Sequence, residues 1–315
     1  MSKLSGMSIP NGITKAQATG NDFVMYFDAD GTLEPTADET RWLCDRHFGI
    51  GADGLLRLTR PQYVGDLEKD RADAFGRSGV SWFMDYRNAD GSLAEMCGNG
   101  TRAITLFAER LGLLHDDMAG FKLGTRAGVK TIRRVKDHAE LGDDVFTVDM
   151  GRFSRDESAA YQVSIPGVEG RARGAFVDMG NPHIVVLDHA GLPAVRDLDL
   201  SKPPVILPSL QHGQNVEFVE VGEISPASDT GTAFMRVNER GVGETLSCGT
   251  GLCATAVTLQ ARTGIHHWHI DVLGGRVDVD VDERLSTVRL TGPAVIVGVM
   301  SVDASAQVRK SPRRL

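Results

Sequence analysis

Two short stretches carry the residues best able to do chemistry. Glu95 to Ala103 reads EMCGNGTRA and Leu246 to Ala254 reads LSCGTGLCA, each with a cysteine in a Cys-Gly-x-Gly frame at the start of a helix-like segment. A helix N-terminus offers backbone N–H groups without intrahelical acceptors and a partial positive charge. A thiol there ionises below its ordinary value of ~8.5, and an anion such as a carboxylate is gripped beside it. Glycine lets a ligand approach the backbone and permits the bends of such a loop. One activated cysteine suggests a nucleophile. A matched pair suggests a base and an acid, one taking a proton from one face of a carbon while the other supplies a proton to the opposite face. Cys44 and Cys253 lack the glycine frame and read as small buried apolar residues.

The two stretches belong to a longer repeat. Met84 to Leu111 lies over Met235 to Arg262 at a constant offset of 151, so that Met84, Cys97, Gly98, Gly100 and Ala103 meet Met235, Cys248, Gly249, Gly251 and Ala254. Each copy runs strand, polar turn, Cys-Gly-x-Gly, helix. Gly20-Asn21 and Gly180-Asn181 form a second echo at an offset of 160, so insertions separate the two landmarks. Two homologous halves sharing a site at their interface is the expected architecture.

The elements that must position these loops are strand-rich. NDFVMYF (21–27), GLLRLT and SWFMDYRN read as strands in the first half, and Thr36 to His47 reads as a helix with Leu43 and His47 on one face. TRAITLFAERLG reads as a second helix, with Ile104, Phe107 and Leu111 apolar and Gly112 as its stop. PQYVGDLEKDRADAFGRSG, within 61–79, is charged and without pattern and reads as a surface insertion. In the second half a series of short strands is interrupted by one helix, GLCATAVTLQAR. Short strands with Gly or Asp turns and one helix per half indicate an α+β fold with mixed or antiparallel sheets, not regular βαβ winding.

Composition bounds the rest. A chain of 315 residues favours about two domains. A net charge of −8 argues against a nucleic-acid partner, and the C-terminal VRKSPRRL reads as a solvated basic tail. No apolar run approaches a membrane span and the first residues lack a signal-peptide core, so a cytoplasmic protein with four reduced thiols is expected. GIGADG (49–54) fits G-x-G-x-x-G, but helix-like sequence precedes it and strand-like sequence follows, the reverse of a dinucleotide site. HHWH (266–269) reads as a strand end, not a metal site, because neighbouring strand residues point to opposite faces.

MDYRNADGSLAEMCGNGTR and NERGVGETLSCGTG resemble the two signature segments of the diaminopimelate epimerase family. ATGNDFV, RHFGIGADG, GNPH and NVEFV match further family segments in the same order, so the resemblance runs from about Lys15 to Met300. It implies two pseudo-symmetric domains, each a mixed or antiparallel sheet wrapped around a central helix. The expected halves are 11–145, with the last strand 292–302 returning to it, and 146–291, followed by a basic tail 303–315.

The family interconverts LL- and meso-diaminopimelate, towards lysine and peptidoglycan, with neither cofactor nor metal. Carried over residue by residue, Cys97 and Cys248 are the acid/base thiols, and Gly98-Asn99 and Gly249-Thr250 grip the carboxylate at the reacting centre. Asn21, Asn88, Asn181, Asn215, Glu239 and Arg240 hold the substrate. His183 and Glu239 tune the thiols, with His183 read beside Cys97 and Glu239 beside Cys248.

The partner expected is the small-molecule substrate, without nucleic acid or membrane, and a homodimer is an open option. A proline or hydroxyproline racemase on the same fold and a dithiol redox protein are the alternatives. Asn99, where such racemases have histidine, and Asn88 favour diaminopimelate. One departure stands out: some family members have glutamine at the position of Gly54, where it meets the distal end of the substrate.

Overall fold

The computed structural model describes residues 6–114, 120–189 and 191–303, with only the backbone at 157–159. The basic tail expected at 303–315 lies outside the described residues from 304 onward. The chain divides into two compact units: Met1–Ala18, Asp22–Ile132 and Ala294–Leu315 form unit 1, and Thr19–Asn21 with Arg133–Pro293 form unit 2. The long boundary between the two units falls after Ile132, inside the strand that begins at Gly128.

Unit 1 contains β1 (Gly12–Ala18), most of β2 (Asn21–Asp28), α1 (Ala37–Cys44), β3 (Gly54–Thr59), α2 (Lys69–Arg77), β4 (Trp82–Asn88), α3 (Gly98–Arg110), β5 (Phe121–Thr125), the start of β6 (Gly128–Val135) and a C-terminal strand, Val295–Ser301. β3 is parallel to β2 and antiparallel to β4, β5 is parallel to β4, and the C-terminal strand is antiparallel to β1. With neighbours on both sides, β3 is buried at all six positions. Its one charged residue, Arg57, must therefore be neutralised in place, and Asp28 at 2.8 Å and Asp85 at 3.2 Å do so. α3 packs on β1, β3 and the C-terminal strand and is buried without a break from Gly98 to Ala108. It is the enclosed helix of this unit.

α1 is shorter than its apolar spacing suggests. Thr36 Oγ1 accepts from the Glu39 N–H (3.1 Å) and Glu39 Oε2 accepts from the Thr36 N–H (2.8 Å), a reciprocal cap that starts the helix. Asp45 Oδ1 then accepts from the N–H groups of both His47 and Phe48 at 2.8 Å, replacing the next helical turn. His47 stands exposed outside the helix, not on its apolar face.

Unit 2 contains β7 (Val145–Arg152), β8 (Ser154–Ser164), β9 (Ala172–Asp178), β10 (Pro182–Asp188), β11 (Val205–Leu207), β12 (Asn215–Ser225), β13 (Thr230–Glu239), β14 (Gly243–Thr245), α4 (Gly249–Thr263), β15 (His267–Val272), β16 (Gly275–Asp282) and β17 (Thr287–Pro293). Its strands run in the order β7-β17-β16-β15-β13-β12-β10-β9-β8-β11; the β15–β13 and β12–β10 pairs are parallel and the rest antiparallel. α4 touches β9, β10, β12, β13, β15, β16 and β17, so this sheet curls round it. Trp268 fills the floor, fully buried, with Nε1 donating to the Ile265 carbonyl at 2.9 Å. Gly264, at φ 77°, closes α4 in the left-handed conformation open to glycine.

The segment read as a surface insertion is corrected by α2, and among the described residues unit 1 holds α1, α2 and α3 where one helix per half was expected. Ala72 and Phe75, three apart, turn inward, and Phe75 joins Val64, Val80 and Phe83 in a small apolar cluster. The Phe75 and Phe83 rings meet edge to face at 5.5 Å. Charged residues over most of the helix surface hide this two-residue stripe. Phe75→Ala should cost about 3 kcal/mol in urea unfolding, against less than about 0.5 kcal/mol for a solvated insertion.

Candidate active site

In unit 1 the chain leaves β4 and reaches α3 through the loop that carries Cys97. Cys97 is the N-cap residue, with extended φ −142° and ψ 123°, and its Sγ accepts from the Gly100 N–H at 3.5 Å. The sulfur thus takes the place of a capping oxygen at the positive end of the helix, where negative charge on it is favoured. Thr101 Oγ1 donates to the Cys97 carbonyl at 2.8 Å and closes the turn. Gly98 and Asn99 are buried, and Asn99 Oδ1 accepts from Arg102 Nη2 at 2.9 Å.

Arg126 anchors this loop. Its Nη1 donates to the Tyr86 and Ala94 carbonyls (3.1 and 3.4 Å), Nη2 donates to Asp85 Oδ1 at 2.6 Å, and Nε donates to Asp66 Oδ2 at 2.7 Å. At the end of β4, Asn88 lies opposite Gly54 in register and its Nδ2 donates to Ser92 Oγ at 3.0 Å. A Cβ at residue 54 would stand 2.6 Å from Cε2 of Tyr86 and 2.7 Å from the Arg87 carbonyl oxygen. The Tyr86 ring occupies the space a glutamine side chain would leave by, which accounts physically for the glycine.

Unit 2 builds a second thiol loop with different neighbours. Cys248 is the N-cap residue of α4, again extended (φ −123°, ψ 113°), and is buried. Thr19 Oγ1 donates to Ser247 Oγ at 2.9 Å, and the Gly274 N–H donates to the Leu246 carbonyl at 3.0 Å. Gly20 has φ 81°, and a Cβ there would lie 2.9 Å from Leu246 Cδ1. Close packing of three loops thus sets Asn21, the next residue, beside the turn that holds Cys248.

The remaining predicted ligands come from neighbouring strand ends. Asn215 Nδ2 donates to the Pro182 carbonyl (3.3 Å) and its Oδ1 accepts from the Arg240 N–H (3.0 Å), while Arg240 Nη1 donates to the His212 carbonyl (3.2 Å). Asn181, at the turn into β10, donates through Nδ2 to Thr250 Oγ1 at 3.4 Å. His183, read from the sequence beside Cys97, connects within unit 2 to the Cys248 turn: its Nε2 meets Asn181 Oδ1 at 3.1 Å and its Nδ1 meets Glu217 Oε1 at 2.7 Å.

Unit 2 therefore carries Asn21, Asn181, His183, Asn215, Glu239, Arg240, Cys248, Gly249 and Thr250, and unit 1 carries Asn88, Cys97, Gly98 and Asn99. Glu217 was not singled out from the sequence. The available signal was alternation: in NVEFV it is two residues after Asn215 and shares its strand face, pointing inward where an apolar residue is the rule.

The electrostatics of Cys248 favour the protonated thiol. Burial pushes its pKa well above the ordinary thiol value, and the Glu239 carboxylate adds to the rise, as does Glu217 counted as a bare carboxylate; the Thr250 hydroxyl, 3.6 Å from Sγ, opposes it. Burial likewise raises the Glu239 carboxyl, against the pull of hydrogen bonds from Thr245 Oγ1 and the Cys248 thiol. His266, His267 and His269 of the histidine-rich stretch pair instead with Asp229, Asp280 and Asp278. Among the described residues no group of three His, Cys, Asp or Glu side chains is spaced to hold a metal ion.

Two units, each a sheet around one enclosed helix, place the chain in a fold class that takes in a probable proline racemase from Agrobacterium radiobacter. That crystal structure is 15% identical, covers 93% of this chain and is itself covered to 92%, with a TM-score of 0.60; it shows the shared fold. Sequence narrows the class. The diaminopimelate epimerase family profile matches residues 13–155 and 175–297. A diaminopimelate epimerase from Corynebacterium glutamicum is 39% identical over 308 residues, covering 94% of this chain and 99% of its own length. Another from Streptomyces coelicolor is 38% identical over 315 residues, at 95% and 98% coverage. The chain belongs to the diaminopimelate epimerase family.

The position of Glu239 sets a signed expectation. Glu239→Gln removes a negative charge beside the sulfur and leaves only a neutral amide oxygen to accept its proton, so the thiolate forms at lower pH. In a Cys97→Ala background, Cys248 should be alkylated by iodoacetamide roughly threefold to tenfold faster at about pH 8 than with Glu239 intact. An unchanged rate would remove Glu239 from the control of this thiol.

Proposed function

We propose that the protein is a cofactor-independent two-base epimerase that interconverts LL-2,6-diaminopimelate and meso-diaminopimelate, on the route to lysine and peptidoglycan precursors in the cytoplasm. The observation that carries this reading is the contrast between two matched thiols. Cys97 Sγ accepts a helix N-terminal N–H, as a thiolate does, while burial and the Glu239 carboxylate keep the proton on Cys248. A base and an acid thus arise from the same local frame.

In this reading Cys97 takes the α-proton, the C–H bond electrons remain on the α-carbon and its carboxylate, and Cys248 delivers its proton to the opposite face. The cycle ends with Cys97 as thiol and Cys248 as thiolate, and the carbon inverted. Developing charge on the substrate carboxylate is met by the first-turn N–H groups at Gly98-Asn99 and Gly249-Thr250, which are preorganised and need not reorient. Asn21, Asn88, Asn181 and Asn215 offer donors and acceptors for zwitterionic ends without adding charge, and Arg240 offers a fork for a carboxylate. His183 and Glu239 tune the thiols, Glu239 through the thiol proton of Cys248.

Incubation of the purified protein with LL-diaminopimelate in deuterated water should yield the meso isomer with deuterium at the inverted α-carbon. L-proline and trans-4-hydroxy-L-proline should be left unchanged. Cys97→Ala and Cys248→Ser should each lower kcat by at least about a hundredfold. Formation of D-proline without meso-diaminopimelate, or full turnover by either cysteine variant, would sink the assignment.

A homodimer is the proposed assembly, and the exposed Val295, Val297 and Val299 of the C-terminal strand are an apolar face for it to cover. Sedimentation velocity should return a dimer at micromolar concentration; a monomer throughout rejects it.

A further inference from the structure

Within unit 2 an unbroken run of hydrogen bonds leads away from Cys248. Thr250 Oγ1 lies 3.6 Å from Sγ, Asn181 Nδ2 is 3.4 Å from Thr250 Oγ1, His183 Nε2 is 3.1 Å from Asn181 Oδ1, and Glu217 Oε1 is 2.7 Å from His183 Nδ1. The run ends on a carboxylate that the proton transfers above do not use. The His183 and Glu217 side chains have no solvent exposure.

Donor and acceptor chemistry sets the direction of the run. An amide oxygen only accepts, so His183 donates through Nε2; a carboxylate only accepts, so His183 also donates through Nδ1. A ring with both nitrogens protonated is an imidazolium, and Glu217 is its counter-charge. With its oxygen so held, Asn181 turns its NH₂ to Thr250 Oγ1. That oxygen accepts, which leaves the hydroxyl hydrogen for Cys248 Sγ. Every donor points toward the sulfur.

The surroundings of Glu217 are shaped for a charge. Its Oε2 is buried without a hydrogen-bond partner. A Cβ at Gly251 would lie 2.6 Å from Glu217 Oε1 and 3.3 Å from the Cys248 Cβ, so the carboxylate sits against the glycine notch in the first turn of α4. The positive end of that helix favours negative charge there. An apolar side chain of similar volume would fill the same space without desolvating a charge.

We propose that Glu217 is a positioning residue for Cys248: it holds His183 as the imidazolium, which fixes the Asn181 amide and keeps the Thr250 hydroxyl donating to the Cys248 thiolate left after proton delivery. The proposal rests on the two-base reading of Cys248. The ionisable groups that face this thiol within unit 2 are Glu239 from β13 and Glu217 from β12, with His183 from β10 beyond Glu217. A bare carboxylate at Glu217 would disfavour the thiolate, as Glu239 does; paired with the imidazolium its charge is cancelled and the donor run remains. The two carboxylates therefore act on one thiol in opposite senses.

The test uses the full chain in a Cys97→Ala background, with Cys248 alkylation by iodoacetamide followed against pH by mass spectrometry. In Glu217→Gln the ring keeps one proton, which Nδ1 donates to the side-chain amide oxygen introduced at position 217. Nε2 then accepts, the Asn181 amide turns over, and the Thr250 hydroxyl donates to Asn181 instead of to sulfur. The midpoint of alkylation should move up and the rate at about pH 8 should fall threefold to tenfold. Thr250→Val should move it the same way, with no further shift in the double variant. A midpoint that falls, as loss of a bare carboxylate would cause, or that stays put overturns the proposal.

A second measurement needs no substitution at Glu217. In protein labelled with ¹⁵N-histidine, both ring nitrogens of His183 should carry protons at about pH 7, and a neutral tautomer overturns the proposal. Neither readout requires turnover, so they stand apart from the epimerase assay. With Cys97 restored, Glu217→Gln should lower kcat about tenfold and leave KM within about twofold, the pattern of an interaction made after substrate is bound.

Discussion

A helix sealed inside a sheet cannot leave its first turn in an apolar interior, because the N–H groups there have no intrahelical acceptor. α3 is buried from Gly98 to Ala108, and all but one of the α4 residues from Gly249 to Gln260 are buried. Each N-terminus must therefore end at something polar, and in each unit that end is formed by a cysteine and two glycines. The requirement explains why the thiol stands where it does, why the residues after it are small, and why asparagine, threonine and carboxylate side chains gather around it. A site for an anion is the cheapest way to end such a helix.

The same constraint yields two different thiols. In unit 1 the sulfur is itself the cap, and Arg126 holds the loop before it through backbone carbonyls and a chain of carboxylates. In unit 2 the sulfur is more deeply buried, Thr250 replaces the asparagine of the first copy, and two strands bring glutamates to it. A duplicated backbone frame thus carries two thiols with different neighbours, because the frame is set by helix and glycine while the surroundings are set by neighbouring strands.

Much of the site was legible in the sequence because its residues lie in short local patterns. Cys97 and Cys248 announce themselves by the glycines that follow, and Asn21 and Asn181 by the glycine before each. Gly54 was visible as a departure, although its cause, the Tyr86 ring packed where a side chain would start, comes from the neighbouring strand. α2 was missed because an inward stripe of two residues in a charged segment carries no usable periodicity. Arg126 gave no signal, since its partners Asp66, Tyr86, Asp85 and Ala94 are thirty or more residues away along the chain. His183 was legible from its place in GNPH, and its bonds to Glu217 and Asn181 come from strands brought together within unit 2.

By itself the sequence determined the repeat, the alternation of strands with two enclosed helices, and the glycine-framed thiols, all of which depend on residues within a few positions of one another. Only the tertiary structure decided which carboxylates meet Cys248, that Asn181 and Thr250 lie between His183 and its sulfur, and that Glu217 faces inward. Those are properties of strand order and register. β10 beside β12, and β12 beside β13, bring His183, Glu217 and Glu239 to one helix end, and proton chemistry depends on such distances rather than on residue type alone.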